Sequence, residues 1–364
     1  MNSYKTYKTY KTYKTYKTYK TYKNLILLLV IVLCGLCYLS LQIGTFQINN
    51  IFIPLYDYFF TQKISAENLI LAEIRLPRTL LAILVGFCLA LSGAALQGLL
   101  QNSLAEPSLL GTSQAAALGA VLIFYFQQQF STLFLPIFAL LFSALSLILL
   151  LFLSGFFRQD FHNFQNIQNL QNQIILSGLA ISTICGALLS AALNFAPNPY
   201  AMQELVFWLL GSVANRNFDD VFLLIFAYIF GFCLIFGQRN SLNAMTLGLE
   251  VSQTLGINIR YVMLQIIVAV SVLVGTSVAI CGTIGFVGLI TPHIVRNLDC
   301  VGNVISKSLI PAMLLGGILV LAADILVRLL ALQTAMQMYG ELKIGVITAI
   351  IGMPIFLQMI WKNK

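Results

Sequence analysis

GTIGFVGLITPHIVR, residues Gly282 to Arg296, is a short apolar run, rich in glycine, that closes with a proline, a histidine and an arginine. Longer apolar segments flank it on both sides. A bilayer tolerates irregular backbone only where protein or a water-filled path surrounds it. Ionisable side chains at membrane depth mark function by default. Pro292, His293 and Arg296 therefore read either as part of a built site or as an ordinary helix end whose arginine reaches for lipid phosphate. The rest of the chain decides between the two.

Of the 364 residues, 59% are hydrophobic and only 9% charged, and the mean hydropathy is +0.89. A soluble domain carries about a quarter charged residues. Apolar runs of about 20 residues, long enough to span a bilayer, recur along the chain. They are continuous rather than alternating, which excludes a β-barrel. The expected fold class is all-α, a polytopic membrane protein of about ten transmembrane helices. These are placed at roughly 25–44, 68–100, 112–127, 133–157, 172–196, 220–237, 260–281, 284–295, 306–331 and 341–361. Residues 24–364 are expected to form one transmembrane domain, with an inner loop at 238–259.

The net charge of +8 misleads. Seven of the 20 basic residues, Lys5 to Lys23 at every third position, belong to a Tyr-Lys-Thr repeat over residues 4–23. Without them 13 basic residues face 12 acidic ones, so the chain does not read as a nucleic-acid binder. Residues 1–23 are expected to be a disordered cytosolic arm that can meet anionic lipid. An even number of spans puts both termini on the cytosolic side. Seven cysteines lie in or beside apolar runs and imply no disulfide framework.

There is no Gly-x4-Gly-Lys-Ser/Thr loop, no His-Glu-x-x-His and no Gly-x-Ser-x-Gly. The chain is expected to carry no catalytic site, no metal site and no cofactor of its own. Three constellations remain. Arg75 and Arg78 share one helix face at the outer side, and Arg328 closes another helix on that side, four residues after Asp324. Such a set suits either an acidic partner or lipid headgroups. Residues 241–256 read as a short amphipathic inner helix, suited to a groove on a cytosolic partner or to the lipid surface. Small residues in several helices, Gly86, Gly93 and Gly316-Gly317 among them, indicate close packing. An ion-driven transporter would need carboxylates in mid-membrane, and the nearest, Asp324 and Glu341, sit by the outer boundary.

The same residues carry a resemblance. RLPRTLLAILVGFCLALSGAALQGLLQNSLAEPSLLGTSQAAALGA (75–120), FWLLGS (207–212), LNAMTLGLEVSQTLG (242–256), GTIGFVGLITPHIVR (282–296), LAADILVRLL (321–330) and GELKIGVITAIIGMPIF (340–356) stand in order. Together they resemble the permease subunits of bacterial binding-protein-dependent ABC importers for iron-siderophores, haem and vitamin B12. The resemblance implies a homodimer in the inner membrane with a path along its axis. It implies two cytosolic ATPase subunits, carrying ATP and Mg, docked on Leu242, Leu247, Gly248, Glu250, Leu255 and Gly256. It implies a periplasmic binding protein docked on Arg75, Arg78 and Arg328, and a cytosolic gate near Gln171 and Asn172. Iron-siderophore is the default cargo it implies, with haem, vitamin B12 and oxyanions such as molybdate as alternatives. Ser103, Lys343 and the stretch after Arg296 depart from the family pattern.

Overall fold

The computed structural model describes residues 2–44, 46, 50–61, 65–125, 134–157, 164–196, 198–302, 304–332 and 341–362. Lys63, Arg158, His162, Asn303 and Lys364 lie outside them. The described residues are helical and contain no strand. In chain order the helices are α1 (Asn2–Gln42), α2 (Phe52–Tyr56), α3 (Ala66–Leu69), α4 (Leu76–Leu99), α5 (Thr112–Tyr125), α6 (Phe134–Leu153), α7 (Phe164–Asn194) and α8 (Pro199–Leu209). They continue with α9 (Phe218–Gly237), α10 (Arg239–Met245), α11 (Leu249–Thr254), α12 (Ile259–Cys281), α13 (Val287–Arg296), α14 (Ile305–Ala331) and α15 (Ile344–Lys362). Each of the ten expected spans coincides with one of these helices. Seven are long and apolar enough to cross a membrane, and Thr112–Ile123 and Ile344–Gln358 are shorter apolar helices.

Two expectations differ from the structure. The Tyr-Lys-Thr repeat, expected as a disordered arm, continues α1 as helix from Asn2. Helix propagates cheaply from a formed apolar segment, so residues without a core of their own can extend one. The Gln/Asn-rich run 159–173, expected as a loop, is helical from Phe164. Ile167, Leu170 and Ile174 recur at helical spacing within it and are buried, which outweighs the polar composition.

The bundle is built around α4, α12 and α14, whose most apolar windows are 83%, 78% and 67% buried. By contrast α1 is 6% buried, and it exposes Leu27, Leu28 and Ile31. α4 approaches α14 and α13 closely because glycine lines those contacts. Gly86 of α4 lies against the backbone of Gly316 and Gly317 of α14, and Gly93 lies against the carbonyl of Gly288 in α13. Without a solvent-driven force between helices in lipid, such backbone contact is the main source of association.

Pro292 sits inside α13 and lacks the N–H that would bond to the carbonyl of Gly288. Gln97 of α4 supplies the missing donor. Its Nε2 donates to the carbonyls of Gly288 (3.4 Å), Leu289 (3.2 Å) and Ala105 (3.2 Å), and its Oε1 accepts from Arg296. Gln97 is 2% exposed, so this is a satisfied polar knot in an apolar core.

The helix ends sort onto two faces. On one, Gln101 donates to the carbonyl of Met245, Asn243 and Ser306 exchange hydrogen bonds, and Arg260 lies over the Phe156 ring. On the other, the end of α1 meets Arg75 and Arg328, and the N–H of Ile344 donates to the carbonyl of Gly211 (3.0 Å).

Gly93→Ala is expected to destabilise the solubilised protein by about 1–3 kcal/mol, the range for overpacking. Gly35→Ala, in α1, meets nothing within 4 Å and is expected to leave the melting midpoint level or slightly higher. Thermal unfolding followed by size-exclusion fluorescence separates the two. An equal response would remove the α4–α13 contact from the list of stabilising features.

Candidate functional site

The three outer arginines converge, but they are not presented outward as expected. Arg75 is 5% exposed and Arg328 6%. Arg75 Nη1 donates to the carbonyls of Leu41 and Gln42, both at 2.8 Å, and Nη2 to that of Phe46. Arg328 Nη1 donates to the carbonyl of Ser40 (2.7 Å), and its Nη2 reaches Ser40 Oγ. The last carbonyls of a helix have no partner within the helix, so two guanidinium groups cap α1. Ser40 Oγ also meets Thr79 Oγ1 at 2.7 Å, joining α1 to α4.

Arg78 is paired instead with carboxylates. Its Nε donates to Asp324 Oδ1 (2.9 Å), and Nη1 and Nη2 donate to Glu341 Oε1 (3.3 Å) and Oε2 (3.0 Å). Asp324, fully buried, also pairs with Arg328 at 2.6 Å. Three cations and two anions leave the cluster about one positive charge, and burial of these charges in pairs is the only affordable arrangement. A cavity of about 340 Å³ opens beside them, lined by Gly44, Ile74, Arg75, Arg78, Asn215 and Glu341 among others. Separations of 246 residues to Asp324 and 263 to Glu341 hid the partners of Arg78; the acids themselves were legible as charges in apolar surroundings.

The quoted stretch is a broken helix. Gly282 has φ +72° and Phe286, unusually for a residue with a Cβ, φ +67°. Between them the backbone is not helical. The N–H of Ser212 donates to the carbonyl of Cys281 (2.7 Å), and Thr283 Oγ1 donates to the carbonyl of Leu209 (2.6 Å). Protein therefore surrounds the irregular backbone. Glu106, which sequence reasoning passed over, accepts from the Phe286 N–H at 2.9 Å. Burial pushes its carboxyl up, against the opposing pull of the Phe286 N–H and Ser108. Glu106, Ser113, Gln114 and Gly285 help to line a second cavity of about 230 Å³. Of the motif residues, Pro292 is buried, His293 is half-buried and Arg296 is tied to Gln97.

The inner segment is not one amphipathic helix. It is two short ones, α10 and α11, turning at Gly248, whose φ of +115° and ψ of 147° suit glycine alone. Gly256 follows at φ +78°. Leu242 and Leu249 anchor the pair in the core, whereas Leu247 (69%) and Leu255 (62%) project outward with Val251, and Glu250 is exposed beside them. Nothing lies within 4 Å of a Cβ at Gly248 or Gly256, so conformation rather than space demands glycine there.

Gln171 and Asn172, expected together at a gate, part company. Gln171 is 6% exposed and donates to the carbonyl of Leu99 at 2.7 Å, tying α7 to the end of α4. Asn172 faces outward. From it the outward face of α7 mixes polar groups, including Gln173, Thr183, Ser190 and Asn194, with Leu176, Leu179, Ile184 and Leu188, and the helix holds no charged residue. The exposed faces of α6 and α9 are different: Leu141, Leu145 and Ile148 on one, Phe222, Phe226 and Phe230 on the other.

Comparison with known proteins follows this geometry. The chain is 36% identical over 295 residues to the vitamin B12 import system permease protein BtuC of Citrobacter koseri, covering 80% of this chain and 83% of that one. It is 36% identical over 294 residues to the protein of the same name from Salmonella typhimurium, with the same coverage. A solved structure in an inward-facing conformation, assigned to the metal-chelate type of ABC transporter, superposes with a TM-score of 0.78 at 28% identity. It covers 93% of this chain and 99% of that one. The FecCD transport family matches residues 27–362, and the chain belongs to that family, the multi-pass permease subunits of ABC importers whose ATPase sites lie on separate subunits.

Proposed function

We propose that this chain carries a bulky metal chelate across the bacterial inner membrane, towards the face that bears α10 and α11. The observation that carries the reading is the mixed outward face of α7, where Asn172 and Asn194 stand exposed at its two ends with Thr183 and Ser190 among aliphatic side chains between them. Exposed amide side chains on a membrane helix are costly against lipid and suit a water-filled path or a second subunit. A path for bare ions would need rings of charge or carbonyl groups. An uncharged, mixed surface instead suits a large ligand whose identity is read elsewhere. The relatives named for vitamin B12 favour cobalamin as cargo. Ferric siderophore, the expectation from sequence, is the arm against which cobalamin is measured.

The remaining parts follow from this reading. A second copy of the chain closes the path, pairing through α7 and α15. The outward row Leu247, Val251 and Leu255 fills a groove on each ATPase subunit, which brings ATP and Mg²⁺. ATP-driven closure of those subunits biases the bundle between outward-open and inward-open packings. The lysine arm shares the cytoplasmic face with this elbow, as the positive-inside rule requires. On the opposite face, the cavity beside Arg78 receives an acidic side chain of the substrate-binding protein.

In a strain lacking this chain, uptake of labelled cobalamin, ferric siderophore and haem is compared side by side. Loss of cobalamin uptake, restored by the intact chain, is the expected result. Retention of all three would remove the chelate reading and direct the assay to molybdate.

Gly248→Ala forces a side chain into backbone geometry that costs about 1–3 kcal/mol. Uptake is expected to fall at least tenfold with the protein still folded and inserted. ATP hydrolysis by the assembled importer measures the coupling. Unimpaired, substrate-responsive hydrolysis and uptake in this variant would overturn the role given to α10 and α11.

A further inference from the structure

Arg78 holds two carboxylates of unequal standing. Asp324 is fully buried and shared with Arg328, so it is fixed. Glu341 is 39% exposed and meets Arg78 in a two-pronged pair at the edge of the outer cavity. Arg75 and Arg328 direct terminal N–H groups at the end of α1, Arg328 also pairs with Asp324, and the Arg328 Nε that has no partner is buried. The guanidinium edge that an incoming carboxylate meets in a two-pronged way is that of Arg78, and Glu341 already occupies it.

We propose that Glu341 is an internal competitor for the acidic side chain of the substrate-binding protein, and that docking displaces it from Arg78. The inference rests on the docking face assigned above. Exchange of one carboxylate for another preserves a bidentate charge-assisted pair on Arg78, and the released Glu341, already 39% exposed, turns to water. Glu341 also stands three residues before α15. That helix begins with the Ile344 N–H on the Gly211 carbonyl and with Gly345 packed on the carbonyls of Leu210 and Thr283. Lys343 lies over the Phe207 ring at 5.3 Å. Release of Glu341 removes an ionic tie between α4 and the approach to α15. Docking is thereby communicated to a helix of the proposed path, and affinity is held below its ceiling so that the binding protein can leave.

The test measures affinity of the importer's own substrate-binding protein for the full assembled importer in nanodiscs. Glu341→Gln keeps the side chain's size and removes its charge. Affinity is expected to rise about fivefold, the upper end of what a partly exposed ion pair contributes. A merely structural role cannot produce a gain. Asp219→Asn, an exposed acid at the start of α9, adds the same charge elsewhere and is expected to leave affinity within error. An equal gain there would reduce the effect to general steering and overturn the displacement. Arg78→Gln is expected to weaken binding. If it does so while Glu341→Gln leaves affinity level or lower, displacement fails and the docking face stands. If neither variant shifts affinity, the docking face fails, and the inference with it.

Discussion

The contact of Gly93 with the carbonyl of Gly288, with Gln97 beside it, is the constraint on which the rest of the bundle depends. A proline within α13 leaves a carbonyl without a donor in a region where water cannot supply one. A glutamine on α4 supplies it, but only if the two backbones touch, and only glycine permits that. Once α13 is held there, the irregular stretch from Gly282 to Phe286 falls beside Glu106 and the loop after α8. The broken helix and the cavity next to it are consequences of one packing contact.

Charge is handled by the same rule. Burying a guanidinium is costly unless each donor finds an oxygen. Arg75 and Arg328 find helix-end carbonyls, and Arg78 finds carboxylates. The arginines that sequence reasoning turned outward as a docking face are thus first a device that fastens α1 to α4 and α14. All three line the outer cavity, but only Arg78 turns a two-pronged guanidinium edge to an exposed carboxylate there.

The exposed surface divides by chemistry. α1, α6 and α9 offer leucine, isoleucine and phenylalanine, as a helix against acyl chains should. α7 offers amide and hydroxyl groups interspersed with leucine and isoleucine, and no charge. The elbow of α10 and α11 offers three aliphatic side chains outside the bundle, held at a fixed angle by one glycine. Lipid, path and partner correspond to these three surfaces in the functional reading.

The all-helical class and the family were legible in the sequence, because apolar run length and ordered motifs are local properties. Two local readings failed where composition competed with periodicity. The Gln/Asn run was taken as loop, although Ile167, Leu170 and Ile174 already marked a helix, and the inner segment was read as one helix across Gly248. What only the tertiary structure decided was which charges meet. Arg78 lies 246 residues from Asp324 and 263 from Glu341, and Gln97 lies 191 from Gly288. No spacing rule spans such distances. Pairing depends on which helices pack together, and that is set by backbone approach at glycines whose partners lie on other helices. The same packing decided that Gln171 donates to the carbonyl of Leu99 and that Arg75 and Arg328 donate to carbonyls at the end of α1.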